Sequence, residues 1–142
     1  MEMGWDRVQI ILNKNEVKIF SRTGDDISLS FPEIENNQYK MVILDGELLV
    51  GKNYVPMSFN SLQQRINRKK VSKKHLIDYP AFIKLYDILF LDNIDLRDVP
   101  WKLRRKKLEE WFLANKNQYF DLSEVIKFTE WKELENIKKF KI

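Results

Sequence analysis

Short stretches of this chain hold residue types that handle nucleotides and phosphates. In Phe20-Ser21-Arg22-Thr23-Gly24-Asp25-Asp26 an Arg follows an alternating segment and precedes a polar turn. An Arg so placed can offer its planar fork to a phosphate, although a solvated Arg at a hairpin exit is the plainer alternative. In Leu44-Asp45-Gly46-Glu47-Leu48 two acids flank a Gly between apolar stretches. A carboxylate leaving a core strand can hold a ribose hydroxyl or a hydrated Mg²⁺, both of which suit oxygen ligands. A hairpin with Asp-Gly at its turn fits the same spacing. In Leu85-Tyr86-Asp87-Ile88-Leu89-Phe90-Leu91-Asp92 a Tyr and an Asp interrupt an apolar run. An aromatic on a rigid strand is a platform for a purine face, worth roughly 1–3 kcal/mol per stacked base, while plain core packing is the bland alternative.

Basic clusters complete the set. Arg65, Arg68, Lys69, Lys70, Lys73 and Lys74 accompany one predicted helix, and Arg104-Arg105-Lys106-Lys107 opens another. Either could contact phosphates with an affinity that falls as salt rises. Four consecutive helical residues point in all directions, so the second cluster is not a one-sided patch. A solvated face explains each as well.

The elements that must position these residues read as one α+β unit. Val8–Leu12 and Glu16–Phe20 flank the turn cluster Asn13-Lys14-Asn15, and Glu16–Phe20 alternates polar and apolar residues, which predicts a hairpin. Met41–Leu44 reads as a buried strand that resumes at Glu47–Val50 after Asp45-Gly46. Pro56 and the Ser58–Ser61 stretch form a break, after which Ser61 is the expected cap of a helix from Leu62, with Ile66 on the same face. Ala81–Asp92 is the strongest central-strand candidate. Pro100 suits the first turn of a helix in which Leu108, Trp111 and Phe112 share a face. Leu122–Phe128 reads as a strand, and Thr129 opens a last helix striped by Trp131, Leu134, Ile137 and Phe140.

Composition narrows the classes. Of 142 residues, 44% are hydrophobic and 13% aromatic, enough for a core and too many for intrinsic disorder. The net charge of +4 permits a polyanionic partner without requiring one. With no Cys, thiolate metal sites, Cys nucleophiles and disulfides drop out, and one His makes a His-rich metal site a poor expectation. No apolar run nears the roughly 18 residues a membrane helix needs, and Met1–Asp6 lacks a signal-peptide pattern. The expectation is an intracellular, cytoplasmic protein with no membrane partner.

The order of the stretches is more specific than any one of them. Arg-Val-Gln-Ile is followed by Glu-Val-Lys-Ile-Phe-Ser-Arg-x-Gly-x-Asp, Phe-Pro-Glu-Ile, Ile-Leu-Asp-Gly-Glu-Leu, Ser-Leu-Gln-Gln-Arg-Ile and Tyr-Asp-Ile-Leu-Phe-Leu-Asp, and then by Asp-Leu-x-x-x-Pro with Arg-Arg and Leu-Glu. The series resembles the nucleotidyltransferase (adenylation) domain of ATP-dependent DNA ligases, over nearly the whole chain. The resemblance implies antiparallel β-sheets flanked by helices, a partial DNA ligase/mRNA-capping-type, ATP-grasp-like fold with a nucleotide between the sheets. It implies ATP and Mg²⁺ as cofactors, nicked DNA as partner, and a reaction in DNA repair, replication or recombination. In that reaction a Lys takes AMP from ATP and AMP passes to a 5′-phosphate before the strand is sealed. It also implies roles: Glu47 for the ribose and the metal, Tyr86 for the adenine, Arg22 for phosphate and Arg7 for the ribose. Arg65, Arg68, Lys69, Arg104 and Arg105 are the expected, weaker DNA contacts.

Some family motifs do not match. The first is Lys-x-Asp-Gly-x-Arg, where this chain reads Gly4-Trp5-Asp6-Arg7, and no Lys-x-Asp-Gly occurs elsewhere. No catalytic Lys is therefore assigned. Residues 1–142 are expected to be a single partial adenylation domain without the intact first motif, the C-terminal motifs or the oligonucleotide-binding domain, and inactive alone. Open sheet edges would invite pairing with a second copy. A half of a split ligase and a non-enzymatic nucleic-acid-binding or scaffold module are the alternatives.

Overall fold

The computed structural model describes residues 5–66 and 68–124. The expected hairpin is present: β1 (Trp5–Asn13) pairs antiparallel with β2 (Glu16–Ser21). Lys14 and Asn15 turn between them, both with positive φ, as a two-residue type I′ loop requires. β3 (Val42–Lys52) lies on the other side of β1, and β5 (Ala81–Leu91) on the far side of β3, so the sheet order is β2-β1-β3-β5-β6. Short strands finish the edges: β4 (Val55–Pro56) on β3, β6 (Ile94–Asp95) on β5, and β7 (Phe120–Leu122) parallel to β5. The long helix α3 (Trp101–Ala114) makes the crossover to β7, as a parallel connection needs.

Sheet pleating separates the two faces. Val8, Ile10 and Leu12 of β1 and Leu44 and Leu48 of β3 are buried in the core with Leu108 and Trp111 of α3. The alternate residues Arg7 and Gln9 are exposed, and Asp45 and Glu47 are half-buried. One side of the sheet is thus packed and the other polar, as antiparallel sheets allow.

Several expectations need correction. Asp45-Gly46 is not a break: β3 runs through it, because Gly46 lets β3 and β5 approach closely. A Cβ there would stand 2.7 Å from Ile83 Cγ2 and 2.9 Å from the Lys84 carbonyl. The short helix α1 (Phe59–Gln63) is capped by Ser58 rather than Ser61, since it is Ser58 that has extended backbone and accepts from the Ser61 amide. Ile66 lies beyond that helix and packs against the core. A further helix, α2 (Lys73–Asp78), carries a capping box between Ser72 and His75. The expected strand at 122–128 shares only Leu122 with the observed one, which is Phe120–Leu122 and stops before Ser123; residues 125–142, including the expected last helix, are outside the described residues.

Arg65 was expected at DNA and is instead completely buried. Its Nη1 donates to Glu33 Oε2 at 2.8 Å and to the Tyr79 carbonyl at 2.7 Å. Its Nη2 donates to Glu33 Oε1 at 2.6 Å and to the Ser30 carbonyl at 2.8 Å, and the guanidinium lies 4.9 Å from the Phe31 ring centre. Both terminal nitrogens of this buried fork are spent on Glu33, Ser30 and Tyr79, and its Nε is buried without a hydrogen-bond partner among the described residues, so the group ties the 30–33 loop to the segment after α1 and is out of reach of a phosphate. The outer edge of β2 is also partly covered, since the Ile27 amide donates to the Ile19 carbonyl and Ser28 Oγ accepts from the Ile19 amide, each at 2.8 Å. That covering leaves less of β2 for pairing with a second copy.

The close approach at Gly46 gives a direct expectation. Gly46→Ala forces a buried β-branched side chain and a backbone carbonyl apart and destabilises the protein by about 1–3 kcal/mol. Urea unfolding measures it; an unchanged midpoint would show that the approach is not tight.

Candidate functional site

Cross-strand register brings two of the sequence-predicted residues, Arg7 and Glu47, into one row. Arg7 on β1 opposes Glu47 on β3, Glu47 opposes Lys84 on β5, and Lys84 opposes Asp121 on β7. Charge alternates along the row, the favourable arrangement for directly opposed side chains; Lys84 Nζ lies 4.0 Å from Asp121 Oδ2. The next row holds Gln9, Asp45 and Asp87. Between the rows the β3–β5 register slips: Leu85 opposes Gly46 and Asp87 opposes Asp45, which leaves Tyr86 without an opposing residue. This is a β-bulge, and Tyr86 is the inserted residue.

Tyr86 stands half-buried on the polar face. Arg7 reaches across β3 to it, with Nε donating to the Tyr86 hydroxyl at 3.1 Å and the guanidinium 5.8 Å from the ring centre. Burial pushes the Tyr86 phenol above its ordinary value, the Arg7 hydrogen bond and charge oppose this, and the charges of Asp45 and Glu47 add to it. Tyr86, Arg7, Asp45 and Glu47 therefore share one electrostatic environment. Beside them opens a cleft of about 580 Å³ whose lining includes Arg7, Gln9, Phe20, Arg22, Asp45 and Tyr86. Its size suits a small organic ligand. Glu47 neighbours this cleft on the same face without lining it.

The turn at one rim is built by its own side chains. Gly24, at φ 92°, donates to the Ser21 carbonyl at 2.9 Å, and Thr23 Oγ1 donates to Asp25 Oδ2 at 2.9 Å. These bonds hold the loop that carries the exposed Arg22.

Asp45, the other acid of the Leu44–Leu48 stretch, has no role under the resemblance, yet it lines the cleft. Burial first, and then the charge of Asp87, lift its carboxyl above the ordinary carboxylate value, while a Gln9 hydrogen bond and the charges of Arg7 and Arg104 pull it down. Two acids directly opposed across strands destabilise a sheet, and carboxylates kept at such a cost mark functional sites. No cluster of three or more His, Cys, Asp or Glu side chains able to hold a metal occurs among the described residues. Mg²⁺ usually needs only one or two carboxylates besides substrate phosphates, so Glu47 fits such a role only together with a nucleotide.

The expected DNA contacts divide. Arg104 and Arg105, like Arg65, face inward. Arg104 pairs with Asp87, and Arg105 is buried, bonding Glu109 Oε2 at 3.0 Å and Ser123 Oγ at 3.0 Å. Arg104 finds its partner on another element, and Arg105, besides its neighbour Glu109 one turn along α3, is anchored on Ser123 beyond the helix, which is why the charge run alone misplaced them. Arg68 is half-buried and its Nε donates to the Gln64 carbonyl. Lys69 remains exposed, with Lys70, Lys73 and Lys74.

Comparison with known proteins follows the same lines. The family model described as "ATP dependent DNA ligase domain" matches residues 2–142. A DNA ligase of Methanothrix thermoacetophila is 34% identical over 108 residues, which are 72% of this chain and 20% of that protein. A probable DNA ligase of Koribacter versatilis is 35% identical over 113 residues, 75% of this chain and 19% of that protein. This chain thus spans about a fifth of the length of these curated relatives. Among solved structures, mycobacterial DNA ligase D complexed with ATP and MES superposes with a TM-score of 0.62 at 24% identity, covering 87% of this chain and 38% of that one. At that identity the likeness shows the fold.

The sign of the Asp45 effect is testable. Its folded-state value is raised, so the folded protein holds the proton more tightly than the unfolded chain, and stability falls as pH rises through that raised value. Asp45→Asn should melt above the wild type at neutral pH, with the gap closing as pH falls toward about 4. Thermal melts across this range decide it; a gap that is absent or widens in acid contradicts the assignment.

Proposed function

Because the chain belongs to the ATP-dependent DNA ligase family, we propose that it forms the adenosine-binding part of an adenylation domain. Tyr86 stacks on the adenine, Arg7 and Glu47 hold the ribose, Glu47 supports a hydrated Mg²⁺, and Arg22 meets the phosphates at the rim. The observation that carries this reading is the Arg7–Tyr86 hydrogen bond at the edge of the cleft, with Glu47 directly opposite Arg7 in the strand register. An aromatic on a rigid strand, a carboxylate and two guanidiniums bordering one cleft form a donor set suited to base, sugar and phosphates.

The reaction proper belongs to the assembled protein. There an amine attacks the α-phosphorus of ATP, a phosphorus–nitrogen bond forms, and pyrophosphate leaves; Mg²⁺ supplies charge neutralisation on the phosphates. Lys-x-Asp-Gly-x-Arg does not occur in the 142 residues. The attacking amine is accordingly assigned to no residue of this stretch. The residues present bind and orient the nucleotide, which is the larger share of what phosphoryl-type transfer asks of a protein. Nicked DNA is the proposed substrate of the assembled ligase, in an intracellular setting. No described helix is long and apolar enough to cross a membrane. A second reading, a nucleic-acid-binding module without nucleotide, is favoured by one feature, the exposed cluster Lys69, Lys70, Lys73 and Lys74.

ATP with Mg²⁺ at millimolar concentration should raise the melting temperature. Tyr86→Ala should weaken ATP binding about tenfold or more, in keeping with a stack worth roughly 1–3 kcal/mol, and Glu47→Ala should also weaken it. Salt-sensitive DNA binding together with no response to ATP would discard the nucleotide reading and leave the second one.

A further inference from the structure

We propose that Arg104 is a positioning residue for the adenine platform: from α3 it fixes Asp87, and through Asp87 the bulge that aims the Tyr86 ring at the cleft. The inference rests on the nucleotide reading given above for what the ring does, but not for how the ring is held.

Tyr86 has no opposing residue on β3, so the ladder on that side does not set its direction. Arg7 holds the far end of the ring through its hydroxyl, and the next residue fixes the backbone from which the ring rises. Asp87 is only 8% exposed, and each of its carboxylate oxygens is engaged. Arg104 Nε donates to Oδ1 at 2.9 Å and Nη2 to Oδ2 at 3.1 Å, a bidentate fork. Oδ1 also accepts from the Ile88 amide at 2.9 Å, which binds the carboxylate to the backbone just past the bulge. Arg104 is itself anchored, its Nη1 donating to the Val99 carbonyl at 2.6 Å just before α3 begins. A rigid chain of contacts therefore runs from the start of α3 to the residue beside the ring.

Charge adds a second reason. Asp87 stands directly opposite Asp45, and these acids would repel each other across the strands. The Arg104 guanidinium offsets one of them; its charge also acts on Asp45. Without Arg104 the two carboxylates must separate or one must take a proton, and separation displaces Asp87 together with the bulge that adjoins it. Neither the Arg-Arg doublet nor the Tyr-Asp pair reveals this in sequence, because 17 residues separate Arg104 from Asp87.

The test uses Arg104→Gln and, should that variant fold poorly, Arg104→Lys, which keeps the charge and loses the fork. Binding of ATP and of tripolyphosphate is measured well below the melting temperature. Arg104→Gln should weaken ATP about tenfold, the scale of one stacked base, and leave tripolyphosphate, which has no base, within about twofold. In a Tyr86→Ala background the same change should cost no further ATP affinity. In the ligand-free protein, the Tyr86 ring resonances should move in either variant while those of the exposed Tyr39 stay. Equal loss of both ligands, a full additional loss in the Tyr86→Ala background, or an unmoved Tyr86 resonance would each overturn the proposal. A wild type that holds tripolyphosphate but not ATP would overturn the nucleotide reading instead, and the Tyr86 resonance would still decide the role of Arg104.

Discussion

The whole site depends on how closely β3 and β5 approach at Gly46. With no Cβ at that position, the Ile83 side chain and the Lys84 carbonyl come within 3 Å of where one would stand. Beside that contact Glu47 lies opposite Lys84, and at the next step the register slips, where Tyr86 is inserted. Had the strands lain at ordinary spacing with regular pairing, Tyr86 would oppose Asp45, and Asp87 would alternate to the other face. The bulge instead lets two adjacent residues act in different ways: the ring at the cleft, the carboxylate on Arg104.

The polar face of the sheet is energetically expensive next to the core face. Val8, Ile10, Leu44, Leu48 and Ile83 supply the buried apolar area on one side. On the other, Asp45 is lifted by burial and by the charge of a second acid, and Tyr86 is lifted by burial. Apolar residues at those positions would stabilise the sheet more. Natural sequences break local rules of this kind at functional sites and compensate elsewhere, here through Arg104 and through Arg7.

The fold was legible where a short periodicity carried the signal. Alternation in Glu16–Phe20 and the apolar run from Ala81 matched β2 and β5, and Pro100 marked the start of α3. The order of the short stretches also pointed to the family. What remained hidden depended on distant partners. Arg65 looked like a surface cation because Glu33, its partner 32 residues away, is invisible to local pattern. Asp45-Gly46 looked like a turn because the dipeptide is a common one there, whereas only the neighbouring strand explains the Gly. Of the two acids that flank Gly46 the resemblance gives a role to Glu47 alone, since what Asp45 does follows from facing Asp87 across strands, which no spacing in the sequence encodes.

The central claim is that the ring of Tyr86 and the carboxylate of Glu47 border one adenosine site. Nuclear Overhauser contacts between the adenine protons of bound ATP and assigned side chains test it most directly. Cross-peaks from the adenine to the Tyr86 ring, with the largest amide shifts at Arg7, Glu47 and Asp87, are the expected result. Cross-peaks confined to Val17, Ile19 and Phe31, which line a separate cavity behind β2, would contradict it.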